Sequence, residues 1–218
     1  MDNCYGEFVE EREPCEIGAD LCAGSLIKNP GGGLALTGGY IVGKEEFVKN
    51  SAYRLTSPGL GKKVGSTLGN NRNFLQGFFM APHVVAESLK GAVYCSLFMQ
   101  KLGFNVSPLM SEKRTDIIQA IKFENRDALI AFCQGIQNGS PVDSFVNPES
   151  WDMPGYDSPI IMAAGGFVQG SSIELSADAP IKPPYIAYLQ GGLVFEQVKV
   201  AIMIAVQKML DREIIQSI

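Results

Sequence analysis

The chain has 218 residues, 46% of them apolar and 19% charged, a composition that excludes a disordered or collagen-like polypeptide. Eighteen lysines and arginines stand against 23 aspartates and glutamates, and the net charge of −5 provides no broad cationic field for phosphodiester backbones. Nucleic acid is therefore not an expected partner; a small metabolite or a protein is. At roughly 150 residues per domain the length falls between one domain and two.

Neither end carries a targeting pattern. The first twenty residues hold Asp2, Glu7, Glu10, Glu11, Glu13, Glu16 and Asp20 against a single Arg12, the reverse of a signal peptide's basic start and apolar middle. The apolar stretch from Val200 to Val206 is too short to cross a bilayer. A cytoplasmic, soluble protein without a membrane partner is expected. Cys4, Cys15, Cys22, Cys95 and Cys133 are odd in number and contain no C-x-x-C pair, so free thiols, mostly buried, are expected.

In chain order, an acidic helix is expected after residue 5, and Ala19 to Ser25 reads as a short buried strand followed by the glycine-rich loop Pro30 to Gly33. Leu36 to Val42 reads as a second strand and Lys44 to Tyr53 as a helix; Ser57 to Gly69 is a loop rich in Gly, Ser and Pro. Asn70 or Asn71 caps a long helix on which Leu75, Phe78, Phe79, Val85, Leu89 and Val93 recur at helical spacing, with Pro82 as a kink point and Gly103 as its stop. Beyond it come strands at Phe104 to Val106, Ile117 to Phe123, Pro159 to Ala163, Ser172 to Leu175 and Tyr185 to Leu189, and a helix near Arg126 to Gln137. A closing helix presents Val198, Ala201, Ile202, Ala205, Met209 and Leu210 on one face. The reading is α/β: residues 1–103 as part of a larger sheet domain with its linking helix, and 104–218 as a small α+β domain.

Several chemistries fail on inspection. His83 is the only histidine and the cysteines lack zinc-site spacing, so no metal site is expected; no G-x-S-x-G elbow exists either. A core or helix-surface role is expected for His83. Gly59-Leu-Gly61-Lys-Lys-Val-Gly65 is one residue too long for the dinucleotide fingerprint and follows a Ser-Pro turn rather than a strand. In Gly24 to Gly33 the lysine precedes the glycines, the wrong order for a phosphate-binding P-loop.

Lys28 remains. It follows the Ala19 to Ser25 strand, with Ser25 three residues before it and three consecutive glycines shortly after, which puts its amine at the mouth of a sheet. A solvated surface lysine is the bland alternative; a partly buried one is a nucleophile for an aldehyde. Asp2 lies 26 residues upstream, in Asp2-Asn-Cys-Tyr-Gly, and a crossover between the two strand ends brings Asp2 and Lys28 to one edge of a parallel sheet, where ligands bind in α/β folds.

These segments carry a family resemblance. The order Asp2-Asn3, Ile17-Gly-Ala-Asp-Leu21 and Ser25-x-x-Lys28 resembles the fold-type I pyridoxal-phosphate enzymes of cysteine and methionine metabolism. Gly24 to Gly33, Phe132 to Val146 and Pro154 to Asp178 bring the chain closer to the methionine gamma-lyase-like branch of aluminium-resistance proteins, and the resemblance covers essentially the whole chain. It implies the C-terminal half of an aminotransferase-like α/β fold, pyridoxal 5'-phosphate as cofactor, and a carbon–sulfur lyase acting on a sulfur amino acid. It further implies that Lys28 holds the cofactor and removes the α-proton, that Asp2 pairs with the pyridine nitrogen, and that Ser25 donates to the phosphate. A homodimer or homotetramer is implied as well.

Departures from the family pattern accompany it. Ile27 stands where better-known lyases place a phosphate-binding threonine, and Tyr185 to Gly191 lacks the arginine that receives the substrate carboxylate. Arg114, Arg54 and Arg72 are the candidates for that role, Arg114 first. Family members are about twice as long, so a start within a longer gene, or a truncated copy, is expected. The rival reading is an inactive fragment or pseudoenzyme that serves only as an interaction or oligomerisation module.

Overall fold

Leu21 to Ser25 form strand β1 in the computed structural model, which describes residues 1–63 and 68–216. β1 is paired on both edges. β2 (Gly39–Gly43) runs antiparallel to it, with Ala23 opposite Ile41. On the other edge Asp2 bridges Ala23 in parallel: the Asn3 N–H donates to the Ala23 carbonyl at 2.9 Å, and the Ala23 N–H to the Met1 carbonyl at 3.0 Å. The connection between them is not the expected acidic helix. Tyr5 and Phe8 adopt positive φ, and only a single 3-10 turn, Pro14–Ile17, forms before Gly18. Phe8 and Val9 pack against the small core around Tyr5 from this irregular backbone, and Pro14 suits the first position of a helical turn but not its interior.

Helix α1 (Glu45–Leu55) follows β2, and the 31-residue α2 (Asn71–Lys101) runs through Pro82. His83 is exposed on α2. The face of α2 divides along its length: Val84, Val85, Ala92, Cys95 and Met99 are buried, whereas Leu75, Phe78 and Phe79, read as part of the same packed face, are exposed. Gly59 and Gly61 lie around a 3-10 turn, Gly61–Lys63; Gly65, the far end of the rejected fingerprint, is outside the described residues, as is part of the expected Ser57 to Gly69 loop.

Beyond Gly103 come β3 (Asn105–Ser107), β4 (Gln119–Lys122), α3 (Arg126–Asn138), β5 (Ile160–Ala163), β6 (Ser176–Pro180), β7 (Ile186–Gln190) and α4 (Phe195–Asp211). The five strands make one antiparallel sheet in the order β3-β4-β7-β6-β5. Strand alternation divides its two faces. Ile121, Ile161, Ala177, Ala179, Ala187 and Leu189 point into a core completed by α3 and α4 and by Cys95 and Met99 of α2. The opposite face carries Asp178, Tyr188 and Gln190. α3 is capped at its start by Asn125, whose side chain accepts from the Ala128 N–H at 2.9 Å, and Gly135 within it and Gly139 at its C-terminal cap allow the α4 backbone to approach at Ala205 and Ala201.

One strand was misplaced by sequence: Ser172 to Leu175 is irregular, and the strand begins at Ser176. All five cysteines are free, with Cys22, Cys95 and Cys133 buried. Burial raises the Cys95 thiol to about 12, which makes it inert at neutral pH. No helix among the described residues is long and apolar enough to cross a membrane.

Candidate active site

The end of β1 turns sharply into the segment that carries Lys28. The Leu26 N–H donates to the Gly38 carbonyl at 2.9 Å, and a 3-10 turn (Asn29–Gly31) follows at once. Asn29 is fully buried and donates its side-chain amide to the Glu7 carbonyl at 2.9 Å. A Cβ at Gly77 of α2 would lie 2.2 Å from the Gly31 carbonyl oxygen, and a Cβ at Gly31 would collide with the Leu26 carbonyl, so neither position has room for a side chain. The turn is thus clamped between the N-terminal segment and α2, which fixes where the Lys28 side chain begins.

Lys28 is half-buried, and its Nζ lies 4.6 Å from the centroid of the Tyr5 ring. Among the described residues Nζ has no hydrogen-bond or ion-pair partner, and it faces the ring of a buried phenol. Tyr5 donates its hydroxyl to the Ser172 carbonyl at 3.3 Å, and burial pushes its phenol well above the ordinary range.

Asp2 sits on the parallel neighbour of β1. Its Oδ1 accepts from the Cys4 N–H at 3.0 Å. Hydrogen bonds from the Cys4 thiol and amide, with the Lys28 charge adding to them, hold this exposed carboxyl below its usual value. Ser25 accepts from the Ile27 N–H at 3.3 Å through its Oγ, which leaves its own O–H free to donate.

The sequence reading did not single out Tyr5 or Asp178. Asp178, on β6, accepts from Gln190 Nε2 at 3.1 Å and from Ser171 Oγ at 3.4 Å, while its Oδ1 is buried without a partner. Burial raises the carboxyl to about 6, against the pull of Ser171, Gln190 and the Lys28 charge. Tyr5 was visible inside the Asp2-Asn-Cys-Tyr-Gly motif as an aromatic beside a candidate carboxylate. Asp178 had no such local signal.

The three arginine candidates do not join this cluster. Arg114 is half-buried and donates to the Ile118 carbonyl at 3.1 Å, to the Ala92 carbonyl at 3.4 Å and to Gln119 Oε1; it precedes β4 and ties that approach to α2. Arg54 is exposed near the end of α1 and Arg72 is exposed in the first turn of α2. Neither hydrogen-bonds or ion-pairs with Lys28, Asp2 or Ser25 among the described residues. An apolar groove of about 490 Å³, lined by Phe8, Cys22, Leu26, Tyr40 and Phe78, is separate from Lys28.

A lysine at the end of a strand, an ionised aspartate on the adjacent parallel segment and a serine on the strand itself are thus held in a single arrangement. The methionine gamma-lyase family model matches residues 1–210. The chain belongs to that family. It is 57% identical over 215 residues to the Bacillus subtilis uncharacterized protein YnbB, a match covering 99% of this chain and 51% of YnbB. It is similar to a candidate cystathionine beta-lyase involved in aluminum resistance from Clostridium acetobutylicum, with TM-score 0.91 and 60% identity, covering 95% of this chain and 48% of that one. A carbon-sulfur lyase involved in aluminum resistance from Clostridium novyi NT gives TM-score 0.90 and 58% identity, covering 95% and 49%. At the level of fold alone, serine palmitoyltransferase from Sphingomonas wittichii aligns over 99% of this chain with TM-score 0.56 and 14% identity. The fold is α/β and corresponds to part of the aminotransferase-like architecture. The chain spans about half the length of these relatives.

Proposed function

We propose that this chain is the lysine-bearing half of a pyridoxal 5'-phosphate-dependent carbon–sulfur lyase acting on a sulfur amino acid. The observation that carries the reading is the place of Lys28: half-buried at a strand end over the Tyr5 ring, with no ion-pair partner for Nζ among the described residues and near enough to Asp2 for its charge to help lower that carboxyl. The residues present fit that cofactor. Lys28 has a free amine for its aldehyde, Asp2 an ionised carboxylate for a protonated ring nitrogen, and Ser25 an uncommitted O–H for a phosphate oxygen. Once bound, pyridoxal 5'-phosphate supplies an electron sink for the carbanion formed at the substrate α-carbon.

The remaining work falls to side chains. With the cofactor bound, Lys28 would act as the general base that takes the substrate α-proton. The Tyr5 ring beneath Nζ stabilises the ammonium that results and limits where it can swing. Asp2 would favour the protonated ring by presenting a negative charge that hydrogen bonds from the Cys4 thiol and amide preserve. The reaction balances as a thioether amino acid plus water giving a thiol, a keto acid and ammonium.

Adding pyridoxal 5'-phosphate to the chain is expected to produce a visible absorption band with induced circular dichroism, and Lys28→Ala is expected to remove both. A band that persists unchanged in Lys28→Ala overturns the assignment. The rival reading, an inactive interaction module, draws support from the half-length match to the relatives. It is favoured if wild-type chain at saturating cofactor develops no dichroic band.

A further inference from the structure

The loop between β5 and β6 is organised around one buried carboxylate. Glu174 is 5% exposed and sits on no strand or helix. Its Oε1 accepts from the Phe167 N–H at 2.8 Å, and its Oε2 from the Val168 N–H at 2.8 Å and from Ser172 Oγ at 3.2 Å. Ser172 Oγ in turn accepts from the Glu174 N–H at 3.1 Å. Gly166 leaves the space this carboxylate occupies: a Cβ there would lie 2.5 Å from Oε2.

The same loop touches the candidate active site from two sides. The Ser172 carbonyl receives the Tyr5 hydroxyl, and the Ile173 N–H donates at 3.0 Å to the carbonyl of Ile27, the residue before Lys28. Ile173 itself is fully buried, packed in a small core with Tyr5, Val84, Val85 and Ile117, and its carbonyl receives the Gly192 N–H at 2.8 Å. Two adjacent residues of the loop therefore fix the ring beneath Nζ and the backbone that carries Lys28, and both lie next to the carboxylate that shapes the loop.

We propose that Glu174 is a positioning residue of the candidate active site, acting through Ser172 and Ile173 to hold Tyr5 and the Lys28 turn in register. Hydrogen bonds to a charged acceptor are the stronger kind, and their loss leaves buried donors unpaired. In Glu174→Gln one of the two oxygens becomes an amide that cannot accept, so at least one donor of the loop faces another donor. Gly166→Ala displaces the same carboxylate without changing it.

The test is amide hydrogen exchange on the full chain, read at peptides covering 26–29, 170–175, α3 and α4. Both variants are expected to raise exchange at 170–175 and at 26–29 together by about tenfold or more, with α3 and α4 unchanged. Exchange that rises at 170–175 alone, or uniformly across all four peptides, overturns the proposal, because either pattern describes a merely structural glutamate. A second measurement rests on the lyase reading: the rate at which pyridoxal 5'-phosphate and borohydride modify Lys28, expected to fall in both variants. If wild-type Lys28 takes no label, that reading fails while the exchange result still decides the role of Glu174.

Discussion

Asp178 shows how a single side chain records its surroundings. Its carboxyl sits on the face of the second sheet turned away from α3 and α4, with one oxygen unpaired, and titrates near 6 rather than near 3.8. The fold therefore holds the proton more tightly than the unfolded chain does, and its stability falls as pH rises from about 4 to about 6. The penalty is absent below that window and complete above it. Asp178→Asn is expected to match wild type in urea unfolding at pH 4 and to exceed it at pH 7.5 by at most about 3 kcal/mol; an advantage independent of pH contradicts this account. Lys28, Asp2 and Ser25 were legible in sequence because their spacing is set by one short crossover. Asp178 and Glu174 were not, since they come near Tyr5 and the Lys28 turn only through the loop preceding β6, a tertiary event that no local pattern reports. Arg114 was ranked on its place before a strand, which says nothing of its direction; its guanidinium is committed to Ala92, Ile118 and Gln119.

Among the elements, α3 and α4 pack directly on each other in the molecule's larger core. Gly135 and Gly139 face Ala205 and Ala201, and a Cβ at Gly135 would overlap the Ala205 backbone. Gly135→Ala is expected to destabilise the fold by about 1–3 kcal/mol in urea unfolding, the usual cost of overpacking, with an unchanged m-value. At the start of α3, Asn125→Ala removes the acceptor of the Ala128 N–H and is expected to cost about 1 kcal/mol. Both helices were readable from apolar spacing, as were most strands, because their periodicities coincide with the faces they bury. The exceptions share a cause. Ile173 and Leu175 alternate like a strand, yet the backbone there wraps around Glu174, and the true strand begins with Ser176 and the small residues Ala177 and Ala179, which carry little β signal. Leu75, Phe78 and Phe79 follow helical spacing but stay largely exposed, with the Phe78 ring 5.5 Å from that of Phe8.

For the whole molecule, those residues place large apolar side chains in solvent. Leu75, Phe78 and Phe79 are exposed on α2, and Phe74, Leu26 and Pro30 continue the apolar area around Phe78. A contiguous apolar surface of this kind binds hydrophobic dyes. Phe78→Ser combined with Phe79→Ser is expected to lower dye fluorescence by more than half while leaving the far-ultraviolet dichroism unchanged, and undiminished fluorescence contradicts this assignment. The chain spans about half the length of its relatives, and the lysine-bearing arrangement lies within that span. The amine of Lys28, over the Tyr5 ring, is the proposed attachment point for an aldehyde. The direct measurement is to mix the 218-residue chain with pyridoxal 5'-phosphate, reduce with borohydride and locate the label by peptide mapping. The label is expected on Lys28 ahead of every other lysine; a label spread over surface lysines with Lys28 unmodified contradicts the assignment.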